Sequence, residues 1–210
     1  NMLAIIVVAV ISYLIGSINF SVLISKRVAG FDVRQKGSGN AGTTNMLRSV
    51  GKGAAAITLV CDILKGVVAV VIAFLIGLIA KNEAALLVQI AGIAVVIGHT
   101  FPVFFEFKGG KGVATALGVL ICINWKVGLI CLIFAIIMMA VTRMVSVGSC
   151  TAAVLYPILT LFGVQKDFFI VKEGSYLIFS LLLALLIIFN HRENIKRILA
   201  GKENKLSFKK

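Results

Sequence analysis

His99, Lys108 and Lys111 are the residues with which this chain could do chemistry on an anion. They fall in "GHTFPVFFEFKGGKGVA" at 98–114, where an apolar run ends and a proline turns the chain. A loop holding Gly109, Gly110 and Gly112 then leads into another apolar run. Glycine lets backbone amides approach a phosphate closely, and a helix start adds the positive end of its dipole. A histidine beside them can hold or move a proton. A basic turn at a membrane face would carry the same lysines, so this stretch by itself leaves both readings open.

Two further polar stretches share its character. Residues 34–48, "RQKGSGNAGTTNMLR", concentrate Ser38, Asn40, Thr43 and Asn45 between Arg34, Lys36 and Arg48. Residues 190–197, "NHRENIKR", set His191 and Asn194 within a basic cluster. Asp62 and Lys65 lie inside an apolar run, three residues apart and so on one helical face. Charges at such depth pair with one another or line a polar cavity; a structural ion pair is the simpler expectation. Other motifs fail on context. "GSGNAG" at 37–42 matches the dinucleotide pattern literally, but it follows a membrane span rather than a strand. "KGGKG" lacks the four-residue gap and the terminal Ser or Thr of a nucleoside triphosphate loop. Two distant histidines without a carboxylate at ligand spacing give no zinc site. No metal or cofactor is expected.

Apolar spans must position these stretches. Of the 210 residues, 60% are hydrophobic and 14% charged, and the mean hydropathy is +1.08. That balance indicates a membrane protein. The formal net charge of +13 sits in short loops, which points to anionic lipid and small anions rather than nucleic acid. Cys61, Cys122, Cys131 and Cys150 lie in apolar runs without paired spacing and read as buried reduced thiols. Asn1, ahead of Met2, reads as an addition to the natural start. The first apolar run has no basic leader and reads as a span rather than a cleaved signal.

A bilayer core of about 30 Å needs roughly 20 helical residues. Seven segments qualify as candidates, at about 3–25, 54–80, 84–105, 112–124, 127–142, 146–163 and 175–190. The fourth is short and the fifth marginal; five spans with two partial helices is the alternative. Gly16, Ser17, Ser21 and Ser25 suit close helix packing, Pro157 predicts a kink, and Trp125 an interfacial anchor. Of the 21 lysines and arginines, Lys81, Lys126, Lys166 and Lys172 fall on one side and Lys65 within a span. The other sixteen fall on the opposite side, so the N-terminus is expected outside and the C-terminus in the cytoplasm. All three polar stretches then face the cytoplasm. A compact bundle would line that mouth with Ser38, Asn40, Thr43, Asn45, Arg48, His99, Lys108, Lys111 and His191. Such a mouth suits more than one phosphate group, with apolar flanks for an acyl chain. The chain is expected to form a single transmembrane domain over 1–210.

Together, "GSGNAGTTNMLR", "GHTFPVFFEFKGGKGVAT" and "NHRENIKR", in this order and with "DILKG" in the second span, resemble the PlsY family of bacterial glycerol-3-phosphate acyltransferases. The resemblance covers essentially the whole chain. It implies a multi-pass enzyme of the bacterial plasma membrane that needs no cofactor. The implied reaction moves a fatty acyl group from acyl phosphate, not from acyl-CoA or acyl-carrier protein, to the sn-1 hydroxyl of glycerol 3-phosphate. Lysophosphatidic acid and phosphate would be the products. Ser38, Asn40, Thr43, Asn45 and Arg48 match the family's first motif. His99, Lys108, Gly109, Gly110, Lys111 and Gly112 match its second, and His191 and Asn194 its third; Glu203 matches a glutamate just beyond. The implied roles are catalytic for Ser38, His99, Lys108 and Lys111, and substrate-binding for Asn40, Thr43, Asn45, Arg48, Gly109, Gly110, Gly112, His191 and Asn194. Lys108, Lys111 and the 109–112 amides would hold the donor phosphate, and Arg48, Ser38 and Asn45 the acceptor. The alternatives are a small-anion transporter, favoured only by Asp62 and Lys65, and another lipid-head-group transferase.

Overall fold

The structure is a computed structural model and describes residues 2–80, 84–162 and 176–206. Lys81, Lys166, Lys172, Lys209 and Lys210 of the charge count lie outside the described residues. The described residues are helical, without strands, and divide into two compact units, 1–123 and 124–210.

The first unit contains α1 (Met2–Ser17), α2 (Phe20–Ala29), α3 (Thr43–Ser49), α4 (Lys52–Ile79), α5 (Ala84–Thr100) and α6 (Val113–Ile123). The expected first span is a broken one. Asn19 adopts extended backbone and its side chain accepts from the Val22 amide, restarting the helix as α2. α5 is the central helix, packed on both α1 and α4. Close approach is reciprocal: a Cβ on Gly16 would strike the Val95 carbonyl, and one on Gly98 the Tyr13 carbonyl. α4 and α6 meet the same way through Gly66 and Gly118. Along α4 the small and polar residues Ala55, Thr58, Asp62, Lys65, Gly66 and Ala69 point inward. Ile57, Val60, Leu64, Val68, Val71, Leu75 and Leu78 form the exposed face. An apolar stripe of this length is stable only in an apolar solvent, and with small residues at the contacts it is the pattern of a membrane helix.

The second unit contains α7 (Trp125–Thr142), α8 (Val145–Leu161), α9 (Tyr176–Asn190) and α10 (Arg192–Leu199). Asn124 caps α7 by accepting from the Val127 amide at 3.1 Å. α8 packs on both α7 and α9; it runs through Pro157 and ends four residues later. Tyr156 of α8 meets Phe179 of α9 edge to face at 6.2 Å.

Among the described residues each of the seven expected segments is mainly helical, but they are not equally long. Four candidate spans, at 2–29, 52–79, 84–105 and 125–142, have the length and apolarity to cross a membrane, and a fifth does if the bent pair α9–α10 counts as one. At 1.5 Å per residue α6 reaches about 17 Å and α8 about 26 Å, both short of a 30 Å core.

The close approach of α1 to α5 yields a test. Gly98→Leu should drive a side chain into the Tyr13 carbonyl and abolish monodisperse protein in detergent. Gly53→Ala, where an added Cβ meets open space on α4, should be neutral or stabilising by up to about 1 kcal/mol in thermal unfolding.

Candidate active site

The long polar loop 30–51 is rigidly organised. Val33, Ala41 and Met46 are fully buried with Val22 of α2 and Ala55 of α4, so a small apolar core pins the loop beneath its polar residues. Asn45, 1% exposed, builds the turn above it. Its amide donates to the Val33 and Lys36 carbonyls at 2.9 and 3.0 Å, and its Oδ1 accepts from the Ser38 amide at 2.9 Å. Donors and acceptor are thereby committed to the loop. Asn45 therefore shapes the site from beneath, with its amide group held by the loop. Ser38 and Arg48 are exposed above that core, with Asn40 and Thr43 half-buried between them.

Arg34 ties this loop to the second motif. Asp32 grips it bidentately, with 3.0 Å to Nε and 2.8 Å to Nη2, and this grip holds the Asp32 carboxyl below its ordinary value. Nη1 then donates to the Phe105 and Lys108 carbonyls at 2.9 and 3.3 Å. The turn it clamps contains Glu106 and Phe107, both at φ 57°, a left-handed conformation unusual for such side chains. Lys108 is exposed beyond the turn and reaches Glu106 at 3.7 Å.

The glycine loop folds back over the end of α5. Gly109 N donates to the Thr100 carbonyl at 3.0 Å and Gly110 N to the His99 carbonyl at 3.1 Å, so both amides serve as the C-terminal cap of that helix. Both N–H groups are thus directed at the helix end. Gly110 must be glycine for a second reason, since a Cβ there would overlap both His99 Nε2 and the Ala41 carbonyl. The two motifs thus meet where Gly110, Ala41 and the His99 ring converge. Gly112, at φ 82°, turns the chain into α6, whose start carries Lys111 immediately ahead.

Beneath this junction His99 is 4% exposed, with Nδ1 3.5 Å from Asp62 Oδ1. The same oxygen lies 2.9 Å from Lys65 Nζ. Lys65 also donates to the Gly16 and Ile18 carbonyls, at 3.1 and 2.9 Å, where the first span breaks. Asp62 and Lys65 do form the expected ion pair. That it abuts His99 has no signal in the sequence, because the contact joins two helices at positions 37 residues apart. Nor does the role of Arg34 as a clamp on the 105–108 turn.

In the second unit the third motif builds its own network. His191 Nδ1 lies 2.7 Å from the Ile187 carbonyl. Asn194 donates to Glu203 Oε1 at 2.6 Å, joined by Ser146 Oγ at 2.8 Å, while Arg197 Nε reaches Oε2 at 2.9 Å. Glu203 thus fastens the tail to α8 and α10. Burial pushes its carboxyl up, but the hydrogen bonds from Asn194, Ser146 and Arg197 outweigh that and leave it below the ordinary value.

Fold and junction together define a helical integral membrane protein in which a basic glycine loop is folded onto a buried His–Asp–Lys cluster. A family model described as glycerol-3-phosphate acyltransferase matches residues 6–201. The glycerol-3-phosphate acyltransferase of Clostridioides difficile strain 630 is 43% identical, over 98% of this chain and 97% of its own. That of Thermoanaerobacter sp. strain X514 is 46% identical, over 96% and 95%. A crystal structure of PlsY, an integral membrane glycerol 3-phosphate acyltransferase in its glycerol 3-phosphate form, matches with a TM-score of 0.84. It is 35% identical, with 97% of this chain and 96% of that one covered. The lysophosphatidic acid form of PlsY matches at 0.81, with 34% identity and coverage of 97% and 95%. The chain belongs to the glycerol-3-phosphate acyltransferase family.

Two outcomes test these geometries. Asn45→Ala leaves two carbonyls and an amide without their partner, and should lower stability by about 1–3 kcal/mol while exposing 35–43 to limited proteolysis. For Glu203 the folded value is depressed, so its stabilisation is present above the unfolded carboxylate range, near about 4.3, and is lost as pH falls through the folded value. Release of the tail on acidification, followed by proteolysis beyond Gly201, should therefore occur in the unaltered protein. Glu203→Gln should show it already at neutral pH, because Arg197 loses its counter-charge.

Proposed function

We propose that this chain transfers a fatty acyl group from acyl phosphate to the sn-1 hydroxyl of glycerol 3-phosphate, yielding lysophosphatidic acid and phosphate. The observation that carries this reading is the junction of the two polar motifs over His99, in a chain of the glycerol-3-phosphate acyltransferase family. Acyl phosphate is a mixed anhydride whose carbonyl is already activated. The barrier lies in placing the alcohol and in stabilising charge on the oxyanion and the leaving phosphate. Lys108, Lys111 and the N-terminal amides of α6 hold the donor phosphate. Arg48 and Ser38, presented by the turn that Asn45 builds, hold glycerol 3-phosphate, with Asn40 and Thr43 beside them. His191 and Asn194 are assigned to substrate binding by the family resemblance alone.

The hydroxyl oxygen attacks the acyl carbonyl, the carbonyl–phosphate oxygen bond breaks, and the departing phosphate takes the hydroxyl proton. Before the reaction His99 orients the hydroxyl by accepting its hydrogen bond, and that single proton leaves the bond for the departing phosphate as the carbonyl–phosphate oxygen bond breaks. No cofactor enters this sequence. The whole chain acts as one domain in the bacterial plasma membrane, with the site on the cytoplasmic face and the N-terminus outside. That orientation needs an odd number of crossings: seven, with α6 and α8 both short, or five with two partial helices.

Purified protein given palmitoyl phosphate and glycerol 3-phosphate should release phosphate and form a lyso-lipid without added cofactor; an anion transporter would not. His99→Gln, which keeps an acceptor, should retain kcat within about tenfold. A collapse of kcat at unchanged KM would instead make the histidine the base. Lys111→Ala should lower kcat/KM for acyl phosphate by about ten- to a hundredfold, as expected for one charge-assisted contact.

A further inference from the structure

Asp62 and Lys65 take no part in binding either substrate in the reading above, yet they are the buried charges nearest to His99. The cluster has a defined order. Lys65 has three oxygen neighbours within hydrogen-bonding distance: the Gly16 and Ile18 carbonyls and Asp62 Oδ1. The aromatic face of Phe20 lies 5.8 Å from the same ammonium. Two backbone carbonyls accept from the ammonium and the Asp62 carboxylate pairs with its charge, so its place is fixed chiefly by backbone. Asp62, 2% exposed, is held by that ammonium and turns the same oxygen toward His99 Nδ1 at 3.5 Å. A carboxylate facing one ring nitrogen selects the tautomer with its proton there, because a bare nitrogen would set a lone pair against a negative oxygen. The other ring nitrogen, Nε2, lies against Gly110 and is the end that faces the junction of the two motifs. The backbone bond from Gly110 N to the His99 carbonyl keeps ring and loop in register.

We propose that Asp62, anchored by Lys65 to the break in the first span, is a positioning residue that holds His99 as its Nδ1–H tautomer and so offers the bare Nε2 to the acceptor hydroxyl beneath Gly110. The proposal rests on the acyl-transfer reading above only for what the Nε2 lone pair meets. A purely structural ion pair would fix the helices equally well but would leave the tautomer of His99 unspecified.

The test uses the full-length protein in detergent micelles. The sequence has two histidines, so nitrogen-15 spectra of histidine-labelled protein, compared with those of His191→Gln, assign His99 directly. The expected result is a neutral ring protonated at Nδ1; a ring protonated at Nε2 in the unaltered protein overturns the proposal. That measurement needs no variant in the cluster and stands even if such variants fold poorly. Kinetically, Asp62→Asn should lower kcat about tenfold with KM for glycerol 3-phosphate within about twofold. In a His99→Ala background the same change should cost less than about twofold more, because its effect passes through the ring. Equal losses in the two backgrounds would assign Asp62 to packing alone and overturn the proposal. Failure of the unaltered protein to turn over palmitoyl phosphate would sink the acyl-transfer reading while leaving the tautomer result as it stands.

Discussion

A lysine ammonium inside an apolar helix is the constraint on which the first unit depends. Leaving Lys65 unpaired in a low-dielectric interior would cost several kcal/mol, and two terms meet that demand. Asp62 supplies the counter-charge one turn away on the same helix. The broken first span supplies carbonyls that a continuous helix would have spent on its own ladder. Break, ion pair and histidine are therefore one arrangement: α1 and α2 separate where Lys65 needs oxygen, and Asp62 is fixed where His99 needs orientation. Small residues make this possible. Gly16 and Gly98 bring α1 and α5 close enough for contacts that a single Cβ at either glycine would push apart.

The loops above this cluster are polar in composition yet rigid in structure. Three fully buried apolar residues, Val33, Ala41 and Met46, hold the 30–51 loop to α2 and α4, and Asn45 satisfies the backbone groups its turns expose. Arg34 makes the corresponding connection sideways to the 105–108 turn. Loop residues that look in sequence like a row of ligands therefore divide into two kinds. Asn45, Gly109 and Gly110 build the scaffold with the same polar groups that would otherwise reach an anion. Ser38, Arg48 and Lys108 stand exposed above it, where an anion would approach. The second unit repeats this economy of polar groups at Glu203, one carboxylate joining Ser146, Asn194 and Arg197.

Much of this was legible from the chain alone. The length and apolarity of seven segments dictated helices, because an apolar backbone must satisfy its own hydrogen bonds. The composition and spacing of three polar stretches identified both the family and the residues to watch. Periodicity placed Asp62 and Lys65 on one face. What stayed hidden depended on distances between helices. Which oxygens neutralise Lys65, which nitrogen of His99 meets Asp62, and whether an asparagine amide faces substrate or its own loop are set by how helices approach one another. Residue types carry no such information: Asn45 and Ser38 are both small, polar and seven residues apart, and only burial separates the scaffold residue from the exposed one. The sequence alone determined the solvent, the helices and the set of reactive groups, since these follow from local chemistry. Tertiary structure decided which groups remain available, because each hydrogen-bonding group spent inside the fold is one withheld from a substrate.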